Sequence, residues 1–307
     1  MPEKGLNIVI VGAGIAGSIS ARVLRESHQV TIYERSQNIS EVGAAISIGP
    51  TVVKFLEEVG FDRKRTGCVA AGALKVYNNH GELVFEGYPN ISEEFGSDWL
   101  FVHRVDLREE FLHLATTESK ELGIKGEPAH IRWNSEVVKV DAERGQITLS
   151  TGEEIQADLV IGMEQLLLVI QVNQYTNYVS LAADGIKSVA RYAVVGDAAF
   201  STARPSGLSA FRFTLTKEVI QNALGKIPEL LQTDKPPCLA QVFAADDTSR
   251  RMVIYPCRNF EILNFVCIVP DERLKTKTTE SWSAPGSREE LLDNFLDFPE
   301  WTLQFLR

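Results

Sequence analysis

Three glycines and one carboxylate are the first residues whose spacing could do chemistry. Gly12, Gly14 and Gly17 form G-x-G-x-x-G, and Glu34 closes the next apolar run, Val30–Tyr33. That pattern suits an adenine dinucleotide. Gly12 permits a tight turn, Gly14 lets backbone approach a pyrophosphate, and Gly17 lets helix and strand pack closely. A carboxylate at the end of the second strand can accept from both ribose hydroxyls. A bare G-x-G-x-x-G is weak evidence, because glycine turns are common. Its weight here comes from the neighbours.

Those neighbours read as strand, turn, helix, strand. Asn7–Val11 is short, apolar and rich in Ile and Val, as a buried parallel strand should be. Ile15, Ile19, Val23 and Leu24 then recur at helical spacing. The helix N-terminus would offer unpaired N–H groups and a positive dipole end to phosphate oxygens. The other reactive residue types make no such pattern. The 4 cysteines show no C-x-x-C, the 5 histidines show no metal-ligand spacing, and no nucleophile triad is visible.

The chain has 307 residues, enough for two domains, and a formal net charge of −10. That charge argues against nucleic acid and against an anionic membrane surface. The sequence enters its first strand almost at once, and no apolar run is long enough to span a bilayer. The expectation is a cytoplasmic protein with reduced core cysteines and no metal.

Further along, Glu41–Ser47 supplies Gly43, Ala44 and Ala45, small enough for backbone to approach a flat ring, and a helix follows over Thr51–Glu58. Ala73–Tyr77 and Glu82–Glu86 alternate about Asn78-Asn79-His80-Gly81, which reads as a hairpin that interrupts a doubly wound sheet. In Phe101–Leu114 a strand-like start meets a helix at Arg104, either a solvated charge or an anion clamp. His103 reads as a packed neighbour of Arg104. Val137–Val140, Gln146–Ser150 and Leu159–Gly162 read as strands, the last two flanking a turn at Thr151-Gly152-Glu153.

GAGIAG with Glu34, the EVGAAI loop, HRVDLREEFL and ADGIKSVAR (Ala183–Arg191) occur in this order and at fitting intervals. The ordered set resembles the FAD-dependent aromatic hydroxylases, the class A flavoprotein monooxygenases, and most of all their fungal salicylate-hydroxylase-like branch. Arg204–Phe213 and Val253–Val266 resemble that branch's substrate domain.

The resemblance implies an α/β protein: a Rossmann-like FAD-binding domain with an inserted, mostly β substrate domain. It places the FAD domain at 1–71 and 101–201, the substrate domain at 72–100 and 202–270, and the start of a return to the FAD domain at 271–307. It implies that Gly12, Gly14 and Gly17 hold the pyrophosphate and Glu34, beside Arg35, the adenosine ribose. Gly43 and Ala45 would lie near the flavin, and Arg104 and Asp184 would bind the cofactor. Arg191 would be catalytic, a cation near the substrate oxygen, or else a helix-end charge facing the dipole. Arg212 is a weaker candidate, equally readable as a solvent-facing strand charge. The implied reaction uses NAD(P)H and O2 to hydroxylate a phenolic or related aromatic substrate through a flavin hydroperoxide. Two alternatives share the opening residues: an impaired, truncated remnant of the family, and an FAD- or NAD(P)-linked dehydrogenase.

Two stretches depart from the family pattern. The chain ends where relatives continue into a Gly-Asp motif, so the expected fold is incomplete at its C-terminus; Gly196-Asp197 falls too early to replace that motif. Also, Met163–Ala182 separates Leu159–Gly162 from Asp184-Gly185, which relatives run together. The insert is neither polar like a surface loop nor helical in period. It reads as a retained short intron translated in frame, with a surface excursion as the alternative. Sequencing the spliced transcript is expected to show a message without these codons; a mature message that still encodes Leu166–Val169 would refute this.

Overall fold

The computed structural model describes residues 5–37, 44–141, 144–162, 168–170, 206–246, 248–275 and 286–307, with only the backbone described for 168–170. The chain divides into two compact units. One comprises Met1–Ser40, Val59–Phe61 and Leu107–Arg204; the other comprises Glu41–Glu58, Asp62–Asp106 and Pro205–Arg307.

The first unit is built on the strand Asn7–Val11. It pairs in parallel with Gln29–Tyr33 on one side and Leu159–Gly162 on the other. His130–Arg132 extends the sheet beyond Gln29–Tyr33, again in parallel. Side chains of a strand alternate between faces, and here both faces are covered. Ile8 and Ile10 join Ala21, Val30, Ile32, Leu112 and Ala115 on one side, while Val9 joins Tyr33, Ile147, Leu149 and Val160 on the other. Gln29–Tyr33 and His130–Arg132 follow on one side of Asn7–Val11 and Leu159–Gly162 lies on the other, so the strand order reverses at this strand. Such a switch point opens a crevice at the carboxyl end of the strand, which is where Gly12 stands.

Leu168–Ile170, inside the expected insert, pairs antiparallel with Leu159–Gly162 at the sheet edge. The turn at Thr151-Gly152-Glu153 joins Gln146–Leu149 to Glu154–Gln156, not to Leu159–Gly162. The extra strand escaped the sequence reading because three residues, two of them polar, give too short a run to show alternation.

The second unit carries a sheet in the order Leu208–Thr216, Ile262–Pro270, Arg251–Cys257, Cys238–Phe243, Ala73–Tyr77, Leu83–Gly87. Its pairs are antiparallel except Cys238–Phe243 with Ala73–Tyr77. The expected hairpin is thus present. The compact units divide the chain differently from the expected segmentation, at 41–58, 62–71, 101–106 and 271–307 among other places. Ala45–Ile48 pairs with Leu100–His103, which groups it with the second unit. The helices Arg288–Phe295 and Glu300–Leu306 send Leu291, Phe295, Leu303, Phe305 and Leu306 into the core of the six-stranded sheet, so 288–306 also groups there.

Within that core Phe265 is fully buried, stacked on Phe213 at 4.7 Å between centroids and 5.3 Å from Phe305. Phe265→Ala is expected to cost about 3–5 kcal/mol, read from the denaturant midpoint. A loss below about 1 kcal/mol would contradict this packing.

Candidate functional site

The chain leaves Asn7–Val11 through Gly12, whose φ of 97° lies in the region that side chains avoid. The Gly12 N–H donates to the Tyr33 carbonyl at 2.7 Å, which folds the turn back onto the second strand. The helix Ile15–Leu24 begins at Gly14 with no side-chain cap and no acidic residue in its first turn. A Cβ built on Gly14 would meet nothing within 4 Å. Gly17 is buried in the same helix. An uncapped helix start beside open space is a backbone site for an anion.

Glu34 sits at the end of the second strand, 4% exposed. Its Oε2 accepts the Ala13 N–H at 2.7 Å, and its Oε1 accepts the Ser36 N–H at 2.9 Å. Its own backbone is pinned as well, its N–H to the Arg132 carbonyl at 2.9 Å and its carbonyl to the Ser135 N–H at 2.8 Å. Burial pushes the Glu34 carboxyl up. The Ser36 and Ala13 N–H groups, the Ser36 hydroxyl and the Arg108 guanidinium outweigh that and hold it below the usual carboxylate range. With these two N–H groups and the Ser36 hydroxyl bonded, the carboxylate still keeps an acceptor position, so a ribose hydroxyl could be served.

Arg108 is a residue at this turn that the sequence alone did not single out. It is 5% exposed, its Nε donates to the Ala13 carbonyl at 2.5 Å, and its guanidinium lies 3.7 Å from Glu34 Oε2. The Ser18 hydroxyl donates to the same carbonyl at 3.2 Å. A signal was present in the sequence. Arg108 interrupts the apolar stripe of Leu107, Phe111, Leu112 and Ala115, where a cation needs a buried partner. The far end of the turn helix is fixed similarly. Arg25, fully buried, donates to the carbonyls of Glu127 and Leu114 at 3.1 and 2.9 Å and to Ser119 Oγ at 2.9 Å.

The first unit therefore brings Gly12, Gly14, Gly17 and Glu34 together, with Arg35 exposed beside them. In the second unit, Ala45 and Arg104 are close to each other. The Arg104 N–H donates to the Ala44 carbonyl at 3.0 Å, and Ala45 pairs with His103. The Ala45 N–H donates to Oδ1 of the fully buried Asn264 at 2.9 Å, a partner that sequence separation hid. His103 is buried; burial and the Arg258 charge push its pKa down against Asp106, as suits a packed neutral ring. Asp106 is held by Arg258 through two bonds of 2.6 Å. Arg212 is exposed on the strand Leu208–Thr216. Gly43, Asp184 and Arg191 lie outside the described residues, as do Gly196 and Asp197.

Among the described residues no cluster of His, Cys, Asp or Glu could hold a metal, and no helix is long and apolar enough to cross a membrane. The cysteines are free, and burial pushes the Cys238 thiol up to about 11 and the Cys257 and Cys267 thiols up to about 12.

No protein-family model matches the chain. Curated relatives do. Over 312 residues it is 32% identical to FAD-dependent monooxygenase cfoG of Aspergillus candidus, covering 99% of this chain and 65% of the relative. It is 28% identical over 308 residues to hispidin-3-hydroxylase of Neonothopanus nambi, covering 96% of this chain and 65% of the relative. The chain thus spans a little under two thirds of the length of these relatives. Among solved structures, CtdE in complex with FAD and its substrate shares the fold at a TM-score of 0.71, with 20% identity, 98% of this chain and 66% of that chain covered. The 2-methyl-3-hydroxypyridine-5-carboxylic acid oxygenase does so at a TM-score of 0.62, with 20% identity, 96% of this chain and 65% of that chain covered.

Because the folded Glu34 pKa lies below its unfolded value, its contribution to stability is complete above the ordinary carboxylate pKa of about 4.3. That contribution is lost as pH falls through the lower folded value. Glu34→Gln is expected to lower stability near neutral pH by about 1–3 kcal/mol and to flatten the acid limb of the stability curve. Denaturant midpoints measured from neutral pH into the acid range check both; an acid limb as steep as in the wild type would contradict the assignment.

Proposed function

We propose that this chain, whose homologues are FAD-dependent monooxygenases, binds FAD in its first unit and hydroxylates a phenolic or related aromatic substrate with NAD(P)H and O2. The observation that carries the proposal is the uncapped start of Ile15–Leu24 beside the open side of Gly14, with a buried carboxylate one strand away. These residues fit the group. The pyrophosphate needs backbone donors and a close approach without a side chain, and the ribose needs an acceptor. A relative's name, 3-hydroxybenzoate 6-hydroxylase of Polaromonas naphthalenivorans, specifies a phenolic acid, which supports the substrate class.

When bound, the flavin would take two electrons from the nicotinamide and pass one atom of O2 to the aromatic ring. The protein's own share is binding, orientation and the exclusion of water. Gly12 and Gly14 would expose backbone to the pyrophosphate. Glu34 would accept from the ribose through the acceptor position its existing bonds leave free, rather than with a wholly unoccupied carboxylate.

The second unit would be the substrate domain. Its buried cluster of Ala45, Phe101, Leu239, Tyr255, Cys257 and Ile262, with Phe101 and Tyr255 centroids 4.7 Å apart, gives that unit an apolar and aromatic interior. From the family resemblance we extend the cofactor-facing set to Arg35, Gly43, Ala45, Arg104 and Asp184. Arg191 would be the cation that faces the substrate oxygen.

The visible spectrum of the purified chain after addition of FAD and gel filtration tests the proposal. Retained flavin with substrate-stimulated NAD(P)H oxidation supports it, and nicotinamide binding without flavin refutes it. Gly14→Ala separates ligand from fold. The added methyl meets no protein atom, and the Gly14 φ of −70° and ψ of −178° suit alanine. Stability should change by less than about 1 kcal/mol, the scale of an N-cap change. FAD affinity should fall about tenfold or more, or about 1.4 kcal/mol. Unchanged affinity in this variant would remove the pyrophosphate from the glycine turn.

A further inference from the structure

We propose that Arg108 is a positioning residue for the cofactor, fixing the peptide that turns the Gly14 N–H toward the pyrophosphate. The inference rests on the FAD reading and adds to it a residue outside the glycine motif.

The argument starts from one peptide plane. The Ala13 carbonyl and the Gly14 N–H belong to the same trans peptide group, so they point in opposite directions. The carbonyl is directed inward, to Arg108 Nε at 2.5 Å and Ser18 Oγ at 3.2 Å. The Gly14 N–H must then point away from Arg108. Glycine follows at 14 and precedes at 12, and glycine tolerates both hands of backbone. Local sterics therefore do not hold this peptide, and it needs an outside partner. A buried cation supplies a strong, charge-assisted bond to a carbonyl that water cannot reach.

The same guanidinium does a second job. Glu34 sits beside the turn and carries negative charge at neutral pH, which would oppose an incoming pyrophosphate. Arg108 lies 3.7 Å from Glu34 Oε2, and the Ala13 N–H occupies that same oxygen at 2.7 Å. Cation, carboxylate and turn peptide form one closed network. Its local charge is balanced before the ligand arrives, so the anion meets backbone donors rather than a bare carboxylate.

The experiment compares wild type, Arg108→Gln and Arg108→Lys in the full chain. Amide hydrogen exchange of the ligand-free proteins reports the network directly. Arg108→Gln should speed exchange at Ala13 and Ser18, whose N–H groups are bonded in the turn, by about tenfold, a local opening, while the amides of Val9 and Ile10 keep their protection. FAD titration, followed by flavin fluorescence, should show the Kd rise about tenfold or more in Arg108→Gln. Arg108→Lys, which keeps the charge but not the planar fork, should fall between the two. A purely structural role would instead raise exchange across the whole sheet and gain nothing from the lysine. Unchanged exchange at Ala13 and Ser18, or Arg108→Gln binding FAD as tightly as a wild type that does bind it, overturns the proposal. A wild type that binds no FAD sinks the preceding reading and the ligand-facing half of this one, while the exchange result still judges the peptide lock.

Discussion

The first unit depends on the two peptide groups that flank the Ala13 Cα both being held. The Ala13 N–H is taken by Glu34 and the Ala13 carbonyl by Arg108 and Ser18. A glycine turn is useful because its backbone can approach a ligand, but the freedom that allows this also lets the turn collapse. Here buried side chains from two other elements remove that freedom. The turn owes its shape to partners far along the chain and not to its own sequence.

The helix Arg104–Thr116 provides most of this restraint. Arg108 reaches the start of the turn helix, and the Leu114 carbonyl accepts from Arg25 at its end. Two buried arginines in a small apolar layer are costly unless each donor finds an acceptor. Arg25 meets that condition with backbone carbonyls and one hydroxyl, and burial lowers its pKa. Arg108 bonds a carbonyl through Nε and has a carboxylate within ion-pair range. Because such networks tolerate little displacement, they fix one geometry where apolar packing alone would allow several.

Much of this was legible in the sequence, for reasons that particular residues make clear. Asn7–Val11 and the glycine spacing were readable because both faces of the strand are buried and the turn needs φ near 97° at Gly12. The Ala73–Tyr77 hairpin was readable from alternation and turn chemistry. Glu34 is expected from its place at the strand end to accept from a ribose, yet its bond to Ala13 was not foreseen, since nothing in the spacing says that a carboxylate also staples the turn. The partners of Arg108 and Asn264 were invisible for a different reason. They lie 95 and 219 residues away, and no local pattern encodes a contact of that range.

Strand direction ties the unusual insert to the same place. Val11 pairs with Gly162 at the carboxyl end of parallel strands, and Gly12 follows Val11 directly. The chain leaves Gly162 at that end, and Leu168 pairs with Ile161 as it runs back antiparallel. Both ends of the connection therefore stand at the edge of the sheet that carries the glycine turn. An insertion at the opposite ends of the strands would be remote from this turn and easy to tolerate. This one begins at Gly162, at the same strand ends as the glycine turn, so whether the mature message keeps those codons is a question about the element beside that turn.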